Sequence, residues 1–250
     1  MRAPSDPPFL KTVSLRRDQV SSFDAFPYCV PAIKNLHTVE LHPRVTFFVG
    51  ENGTGKSTLL EAIAVAEGFN AEGGSRHAMF ATKDTHNADL PYKLQLGRPG
   101  GRKLARSDSF FLRAESFYNL STYIDDNVGS TSYGPVPLHQ QSHGEAFMSL
   151  MTLRLGGNGF YLLDEPEAAL SPQRQLAFLV ALNELVLAGS QFIIATHSPI
   201  IMAYPDATIL HFTADGIRPI SYEDTEHYKV TRAFLTRTDK MLQDLFADDE

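Results

Sequence analysis

The chain has 250 residues, 43% of them hydrophobic, a net charge of −7 and one cysteine, Cys29, so it can bury one substantial core. A single cysteine excludes an internal disulfide and a cysteine-based zinc cluster, which suits the reducing cytoplasm where we expect the protein to act. The acidic balance gives no electrostatic support to a nucleic-acid-binding domain, and no apolar run approaches the ~20 residues that span a bilayer.

The first half of the chain begins with a polar, proline-rich segment, residues 1–8, which we expect to be disordered. Hydrophobic periodicity and turn residues then predict an edge strand at 10–15, strands at 37–41 and 45–49, a helix at 56–67, a pair of strands at 92–96 and 109–112, and a helix at 115–124. The basic segment 98–106 is either a solvated hairpin or a nucleic-acid groove. No aromatic residue interleaves its charges, which favours the hairpin.

The second half shows a clearer alternation of strands and helices. The pattern predicts a helix at 142–155, a strand at 160–163, a helix at 172–188, strands at 191–195, 208–212 and 217–220, and one or two C-terminal helices. Ser171 suits the N-cap of the helix at 172–188, and Gly189 suits its C-terminal cap. Alternation from 45 to 212 predicts an α/β fold with a largely parallel sheet.

A phosphate-binding pattern follows the strand predicted at 45–49. Residues 50–58 read Gly-Glu-Asn-Gly-Thr-Gly-Lys-Ser-Thr, which is G-x-x-x-x-G-K-[ST] between a strand and a helix. Glycines allow backbone N–H groups to point at phosphate oxygens, and the helix adds the positive end of its dipole. Lys56 would reach the β- and γ-phosphates, and Ser57 would bind Mg²⁺. The predicted nucleotide-binding residues are Gly50, Asn52, Gly53, Thr54, Gly55, Lys56, Ser57 and Thr58.

Acidic and imidazole side chains follow the strands at 160–163 and 191–195. Asp164 would hold Mg²⁺, and Glu165 would orient or deprotonate the attacking water. His197 ends the next strand, which we expect to lie beside the strand carrying Asp164. A neutral imidazole there could donate to the γ-phosphate or to the water, although a lone histidine can also be purely structural.

The helix predicted at 142–155 begins with Ser142, His143, Gly144 and Glu145. Ser142 and Glu145 have the spacing of a capping box, which is a sufficient structural explanation for both. Alternatively, this helix start is a second phosphate-binding N-terminus, offered to a nucleotide held by another subunit. The residues alone leave the two interpretations equal.

Together these motifs resemble ATP-binding cassette (ABC-type) ATPases in order and approximate spacing, over about residues 30–215. The segment from Ser142 to Glu145 resembles their signature motif, Leu-Ser-Gly-Gly-Gln, and residues 164–172 resemble the stand-alone AAA/ABC branch more than transporter subunits. The resemblance implies a P-loop NTPase with a mostly parallel central sheet flanked by helices, an antiparallel β part and a helical subdomain at 115–156. The ATPase domain would span 9–222 and a helical extension 223–250.

Four positions depart from the family pattern or do not settle how it is met. Ser171 stands where the family's D-loop carries Asp. Glu115 follows the strand at 109–112, where the family has a Gln that contacts Mg²⁺ through water. Phe26 and Tyr28 are candidates to stack on adenine, although packing into the core explains either equally well.

The resemblance also implies a mechanism, in which a homodimer encloses two Mg-ATP and opens after hydrolysis. Each nucleotide would contact one chain through Lys56, Ser57, Asp164, Glu165 and His197, and the other chain through Ser142 and Gly144. The expected activity is ATP hydrolysis that drives a switch acting on an unidentified protein partner. Two alternatives are an ABC transporter subunit with a membrane partner, and an ATPase of DNA repair or defence with a nucleic-acid partner.

Overall fold

The computed structural model describes residues 8–76, 89–99, 108–114, 137 and 140–247. The strands in these ranges are β1 (Thr12–Leu15), β2 (Thr38–Glu40), β3 (Val45–Val49), β4 (Gly74–Ser75), β5 (Leu94–Gly97), β6 (Phe110–Arg113), β7 (Phe160–Asp164), β8 (Gln191–Ala195), β9 (Thr208–Thr213) and β10 (Gly216–Ile220). The α-helices in these ranges are α1 (Pro31–Lys34), α2 (Lys56–Ala66), α3 (Leu90–Lys93), α4 (His143–Ser149), α5 (Pro172–Leu187), α6 (Pro199–Met202), α7 (Glu226–Thr236) and α8 (Thr238–Phe246).

Within the described ranges, seven strands form one sheet in the order β10-β9-β3-β8-β7-β6-β4. The inner strands from β9 to β6 are parallel, and the two outer strands pair antiparallel with their neighbours. A separate antiparallel sheet has the order β2-β1-β5. The mostly parallel sheet and the antiparallel part confirm the predicted α/β architecture.

The parallel register brings the ends of β3, β7 and β8 to one edge of the sheet. Phe48 of β3 and Asp164 of β7 both lie opposite Ala195, the last residue of β8. The loops that follow these three strands therefore emerge side by side, where ligands bind in open parallel sheets. The predicted pairing of the strand before His197 with the strand ending in Asp164 is confirmed.

The inner strands are buried on both faces, as parallel strands covered by helices must be. In β8, Phe192 and Ile194 pack on the face covered by α4 and α5, whereas Ile193 and Ala195 pack on the opposite face with α2 and the three-stranded sheet. This double burial explains why β3, β7 and β8 read as continuous apolar runs in the sequence.

The long helix α5 has the predicted caps. The Ser171 hydroxyl accepts from the backbone N–H of Arg174, Pro172 occupies the first turn, and Gly189 follows the helix at φ 89°. Left-handed φ favours glycine because it has no Cβ to clash with the preceding turn. Ser171, which replaces the family's Asp, thus acts as a helix cap.

Two strand predictions are wrong. β1 was expected at an edge, but it lies at the centre of the three-stranded sheet because both β2 and β5 pair with it. The strands predicted at 92–96 and 109–112 do not pair with each other. β5 joins β1, whereas β6 pairs with β7 and β4, because the fully buried Phe110, Phe111 and Leu112 require a position covered on both faces.

The helix predicted at 142–155 is interrupted. It is α-helical only through Ser149 and continues as a π-helical turn at Leu150–Arg154. The predicted helix at 115–124, residues 1–7 of the predicted disordered segment and most of the basic segment at 98–106 lie outside the described residues.

The C-terminal extension forms two helices, α7 and α8, as predicted. No residue of α7 or α8 is buried, and their exposed apolar side chains include Leu235 and Phe246. Across the described part of the chain, no helix has the length and apolar character needed to cross a membrane.

Candidate active site

The loop between β3 and α2 is wound tightly by glycines. Gly50, Gly53 and Gly55 have φ values of 143°, 79° and 103°. A Cβ at Gly50 would collide with the carbonyl oxygen of Phe212, and one at Gly55 would lie 2.7 Å from Cγ1 of Val30. At Gly50 and Gly55, any larger residue would be strained by the positive φ and would collide with its neighbours.

Lys56 is buried at the centre of this loop. Its Nζ donates to the carbonyls of Gly50 and Glu51, each at 2.8 Å, and only 4% of the residue is exposed. Burial lowers the pKa of Lys56, and the charges of Glu165 and Asp164 oppose that shift. The loop therefore encloses a cation beside two carboxylates.

Ser57 and Asp164 meet directly across the sheet edge. The Ser57 hydroxyl donates to Oδ1 of Asp164 at 2.9 Å, and Asp164 is buried. A hydroxyl and a carboxylate are oxygen ligands of the kind that Mg²⁺ accepts. The two predicted metal ligands, which are 107 positions apart in sequence, thus lie in contact.

Arg113 is a third side chain at this point, and sequence reasoning missed it. It ends β6 opposite Asp164 in register, and its Nε lies 3.9 Å from Oδ2 of that residue. Its Nη1 also donates to Oε2 of Glu61 at 2.7 Å. Glu115, which would replace the family's Gln, lies outside the described residues, so Arg113 is the last charged residue described on this strand.

Glu165 follows β7 in a left-handed conformation, with φ 52° and ψ 52°. Its backbone N–H donates to the carbonyl of Ala195 at 2.9 Å, which holds this turn against the end of β8. Such a conformation is uncommon outside glycine and often marks functional sites. The partly exposed carboxylate has Oε1 at 3.7 Å from Nε2 of His197.

The loop carrying His197 is fixed by Glu167, a residue that the motif analysis did not single out. Glu167 accepts from the Thr196 hydroxyl at 2.8 Å and from the backbone N–H of His197 at 2.5 Å. Burial raises the pKa of Glu167, and these hydrogen bonds oppose the rise. The only indication of its role in the sequence was its position two residues after Glu165 in the same acidic segment.

His197 itself is a neutral imidazole. Burial, Lys56 and His227 together lower its pKa to about 4. Its Nδ1 lies 2.8 Å from Nε2 of His227, which comes from α7. Nothing in the sequence linked these two histidines, since 30 positions separate them.

These side chains fit a nucleoside triphosphate with Mg²⁺. The loop is open at Gly53, where a Cβ would meet no atom within 4 Å, and Ser57 with Asp164 supplies oxygen ligands. In addition, Nε2 of His197 is buried without a hydrogen-bond partner among the described residues. A buried polar nitrogen normally has a partner, so a phosphate oxygen or a water at this place would satisfy it.

The second predicted phosphate-binding element is separate from this cluster. The Ser142 hydroxyl donates to Oε2 of Glu145 at 2.7 Å and accepts from its backbone N–H, which forms the predicted capping box. The Arg174 guanidinium donates to the Ser142 hydroxyl and to Oε1 of Glu145, each at 3.2 Å. Through the described part of the chain, no hydrogen bond connects Ser142 with the phosphate loop. A Cβ at Gly144 would lie 2.8 Å from the carbonyl of Ala169, so the helix start packs on the turn after Asp164.

The two candidates for adenine stacking differ in exposure. Tyr28 is buried, its hydroxyl donates to Oδ1 of Asp89 at 2.8 Å, and Nζ of Lys93 lies 4.9 Å from its ring centroid. These contacts assign Tyr28 to the core. Phe26 is 53% exposed, so it keeps a ring face available for a base.

Two family models match adjacent parts of the chain. One, described as "AAA domain", matches residues 22–103, and the other, described as "AAA domain, putative AbiEii toxin, Type IV TA system", matches residues 99–203. They cover the phosphate loop and the strand ends that carry Asp164 and His197. The two matches agree with the P-loop ATPase fold that the phosphate loop and the strand order indicate, and each covers less than half of the chain. A comparison with curated proteins gave no match.

Solved structures similar to this chain include an SMC head domain and two ABC transporter structures. The SMC head domain from Thermotoga maritima is 18% identical, with 85% of this chain and 99% of that chain covered and a TM-score of 0.48. CbiO1 from Clostridium perfringens, part of the ABC transporter complex cbiONQ, is 16% identical, with 95% and 100% covered and a TM-score of 0.49. A metal-chelate type ABC transporter in an inward-facing conformation is 14% identical, with 89% and 88% covered and a TM-score of 0.48.

Proposed function

We propose that this chain binds Mg-ATP and hydrolyses it at composite sites formed by two copies, as a nucleotide-driven switch. One observation carries the proposal. Lys56, the Ser57–Asp164 pair, Glu165 and His197 converge at one sheet edge, where strand register alone brings their loops together. Glycine-lined phosphate loops beside such carboxylates are typical of phosphoryl-transfer enzymes.

The residues have distinct roles in this proposal. Bound Mg-ATP supplies a phosphoryl group whose negative charge is partly neutralised by the metal. Lys56 and the loop N–H groups hold the phosphates, while Ser57 and Asp164 hold the metal. Glu165 orients the attacking water and accepts its proton, and the neutral imidazole of His197 donates a hydrogen bond from Nε2 toward the γ-phosphate or the water.

The second copy supplies Ser142 and Gly144. Within the described residues of one chain, Ser142 bonds to Glu145 and Arg174, and it makes no hydrogen bond to the phosphate loop. In the proposed homodimer, the same segment faces the partner's nucleotide, so each site uses both chains. Arg174 offsets the negative charge of Glu145, which would otherwise repel a phosphate.

In this proposal the switch acts in the cytoplasm on an unidentified protein partner. A protein is favoured over nucleic acid because the chain has a net charge of −7. A second candidate is a defence-associated ATPase, since the model matching residues 99–203 names an AbiEii toxin of a type IV system. ATP hydrolysis stimulated by DNA would favour that candidate, and hydrolysis that depends on a co-purifying membrane protein would favour a transporter subunit.

The test of the proposed activity is the Glu165→Gln variant. Removing the proton acceptor lowers ATP hydrolysis by roughly 100-fold or more while the dissociation constant for Mg-ATP changes little, because Lys56 and Ser57 remain. The matched control is Glu184→Gln, at an exposed position of α5, which leaves both quantities unchanged. Equal hydrolysis by Glu165→Gln and wild type would contradict the assigned role.

A further inference from the structure

The C-terminal extension reaches His197 of the candidate active site through the side chain of His227. His227, the second residue of α7, places its Nε2 2.8 Å from Nδ1 of His197, with ring centroids 5.0 Å apart and ring planes at 61°. Both rings are partly buried. The distance is that of an N–H···N hydrogen bond, so one ring donates and the other accepts.

The start of α7 is held firmly enough to fix this contact. Thr225 is buried and caps the helix by accepting from the backbone N–H of Tyr228, while its hydroxyl donates to the carbonyl of Tyr222 at 2.7 Å. The Tyr222 hydroxyl in turn donates to the carbonyl of Pro199 at 2.9 Å. The extension is therefore joined to the segment immediately after His197, and His227 cannot move independently of it.

The direction of the hydrogen bond follows from what faces the other nitrogen of His197. Nε2 lies 3.7 Å from Oε1 of Glu165, and an ionised carboxylate only accepts hydrogen bonds. No hydrogen bond joins these two atoms, but the negative charge of the carboxylate favours the tautomer with the proton of His197 on the nearby Nε2. A neutral ring carries one N–H, so Nδ1 must then accept, and Nε2 of His227 must donate.

We propose that His227 is a positioning residue of the active site, which fixes the tautomer and orientation of His197 by donating from its Nε2 to Nδ1 of His197. The inference rests on the proposed function of His197. It assigns the C-terminal extension a part in the reaction, because a helix outside the sheet determines whether Nε2 of His197 carries the proton. In other enzymes, a group that hydrogen-bonds to one ring nitrogen of a functional histidine fixes the orientation of the ring and decides which nitrogen carries the proton.

The surrounding charges agree with two neutral rings. Lys56 and His211 lie near the pair and disfavour protonation, whereas Glu226 opposes the effect at His227. Burial is the largest cause of the lowered pKa of both histidines. Both lowered pKa values favour the neutral rings at neutral pH, and in that state each ring carries one N–H, one of which joins the pair.

The test compares two substitutions that differ in their hydrogen-bonding groups. His227→Phe keeps a ring but removes the donor, whereas the amide of His227→Gln can still donate. ¹⁵N NMR of His197 in the nucleotide-free protein reads its tautomer directly. We expect the Nε2–H form in the wild type and in His227→Gln, and a mixture with the Nδ1–H form in His227→Phe.

ATP turnover provides the second measurement. We expect kcat to fall roughly tenfold in His227→Phe with KM nearly unchanged, and to recover largely in His227→Gln. His37→Phe, at an exposed position, is the matched control, and thermal unfolding verifies that each variant is folded. An unchanged His197 tautomer in His227→Phe would overturn the inference even if the wild type hydrolyses ATP. A wild type without ATPase activity would instead contradict the proposed function, and the NMR result would still decide the tautomer.

Discussion

The two halves of the candidate site differ in how complete they are within one chain. The phosphate-loop half is fully connected, since Lys56 lies inside its loop, Ser57 contacts Asp164, and Glu165 approaches His197. The signature half, which begins at Ser142, bonds to Glu145 and Arg174 and has no hydrogen bond to the phosphate loop among the described residues. In the proposed function, one chain would hold a nucleotide on its own, whereas hydrolysis would need a second copy.

The largest effect should follow removal of the buried cation. Lys56→Ala deletes the ammonium at the centre of the loop, so we expect Mg-ATP affinity measured by calorimetry to fall about 100-fold or more. Lys34→Ala, with a half-exposed side chain, is the control and should bind like the wild type. Retained affinity in Lys56→Ala would remove the basis for the phosphate-loop half.

A mixing experiment tests whether the signature half acts on another chain. Ser142→Ala should bind Mg-ATP normally but lose roughly 100-fold in hydrolysis, because it lacks a group that acts on the partner's nucleotide. Mixed in equal amounts with Lys56→Ala, it should regain activity up to about a quarter of the wild-type rate, since at most half of the dimers are mixed and each mixed dimer contains one intact site.

The control for this experiment is Ser221→Ala, at an exposed position outside both halves, which should be fully active alone. If the mixture of Ser142→Ala and Lys56→Ala is as inactive as its components, the two halves do not complement each other across chains.

A smaller effect is expected from Arg174→Ala. Hydrogen bonds from Ser142 and the charge of Arg174 keep the pKa of Glu145 below its ordinary value, so the carboxylate is ionised. Without Arg174 its negative charge is uncompensated, and we expect ATP-dependent association to weaken severalfold, most at low salt. The control is Arg16→Ala, which removes an exposed arginine beside the three-stranded sheet. If Arg174→Ala instead lost ATP binding by the single chain, Arg174 would act on the chain's own nucleotide site and not on association.

The smallest effect concerns pH and stability. The folded-state pKa of His197 is lowered from 6.5 to about 4, so the unfolded chain binds a proton first and stability falls as pH drops from 6.5 towards 4. His197→Gln lacks this loss, so its melting temperature should decrease less between pH 7.5 and pH 5 than that of the wild type. Equal decreases would contradict the buried neutral imidazole, and His37→Gln is the exposed control.

The sequence predicted the phosphate-loop half better than its surroundings, for physical reasons. Asp164 ends β7, and Lys56 and His197 follow the loops after β3 and β8. Parallel strand order brings these strand ends together whatever the loops contain. The pairing of 92–96 with 109–112 failed because short apolar runs do not encode which sheet they join. The links made by Glu167, Arg113 and His227 are tertiary contacts between distant segments, and no local pattern encodes them.

The mass of the Glu165→Gln protein in saturating Mg-ATP tests the composite site most directly. Slow hydrolysis should trap the closed state, so light scattering at micromolar concentration should give twice the 27.7 kDa of the chain with Mg-ATP and the single-chain mass without nucleotide. Lys56→Ala under the same conditions should stay at the single-chain mass. A Glu165→Gln protein that binds Mg-ATP and still remains at 27.7 kDa would contradict the account.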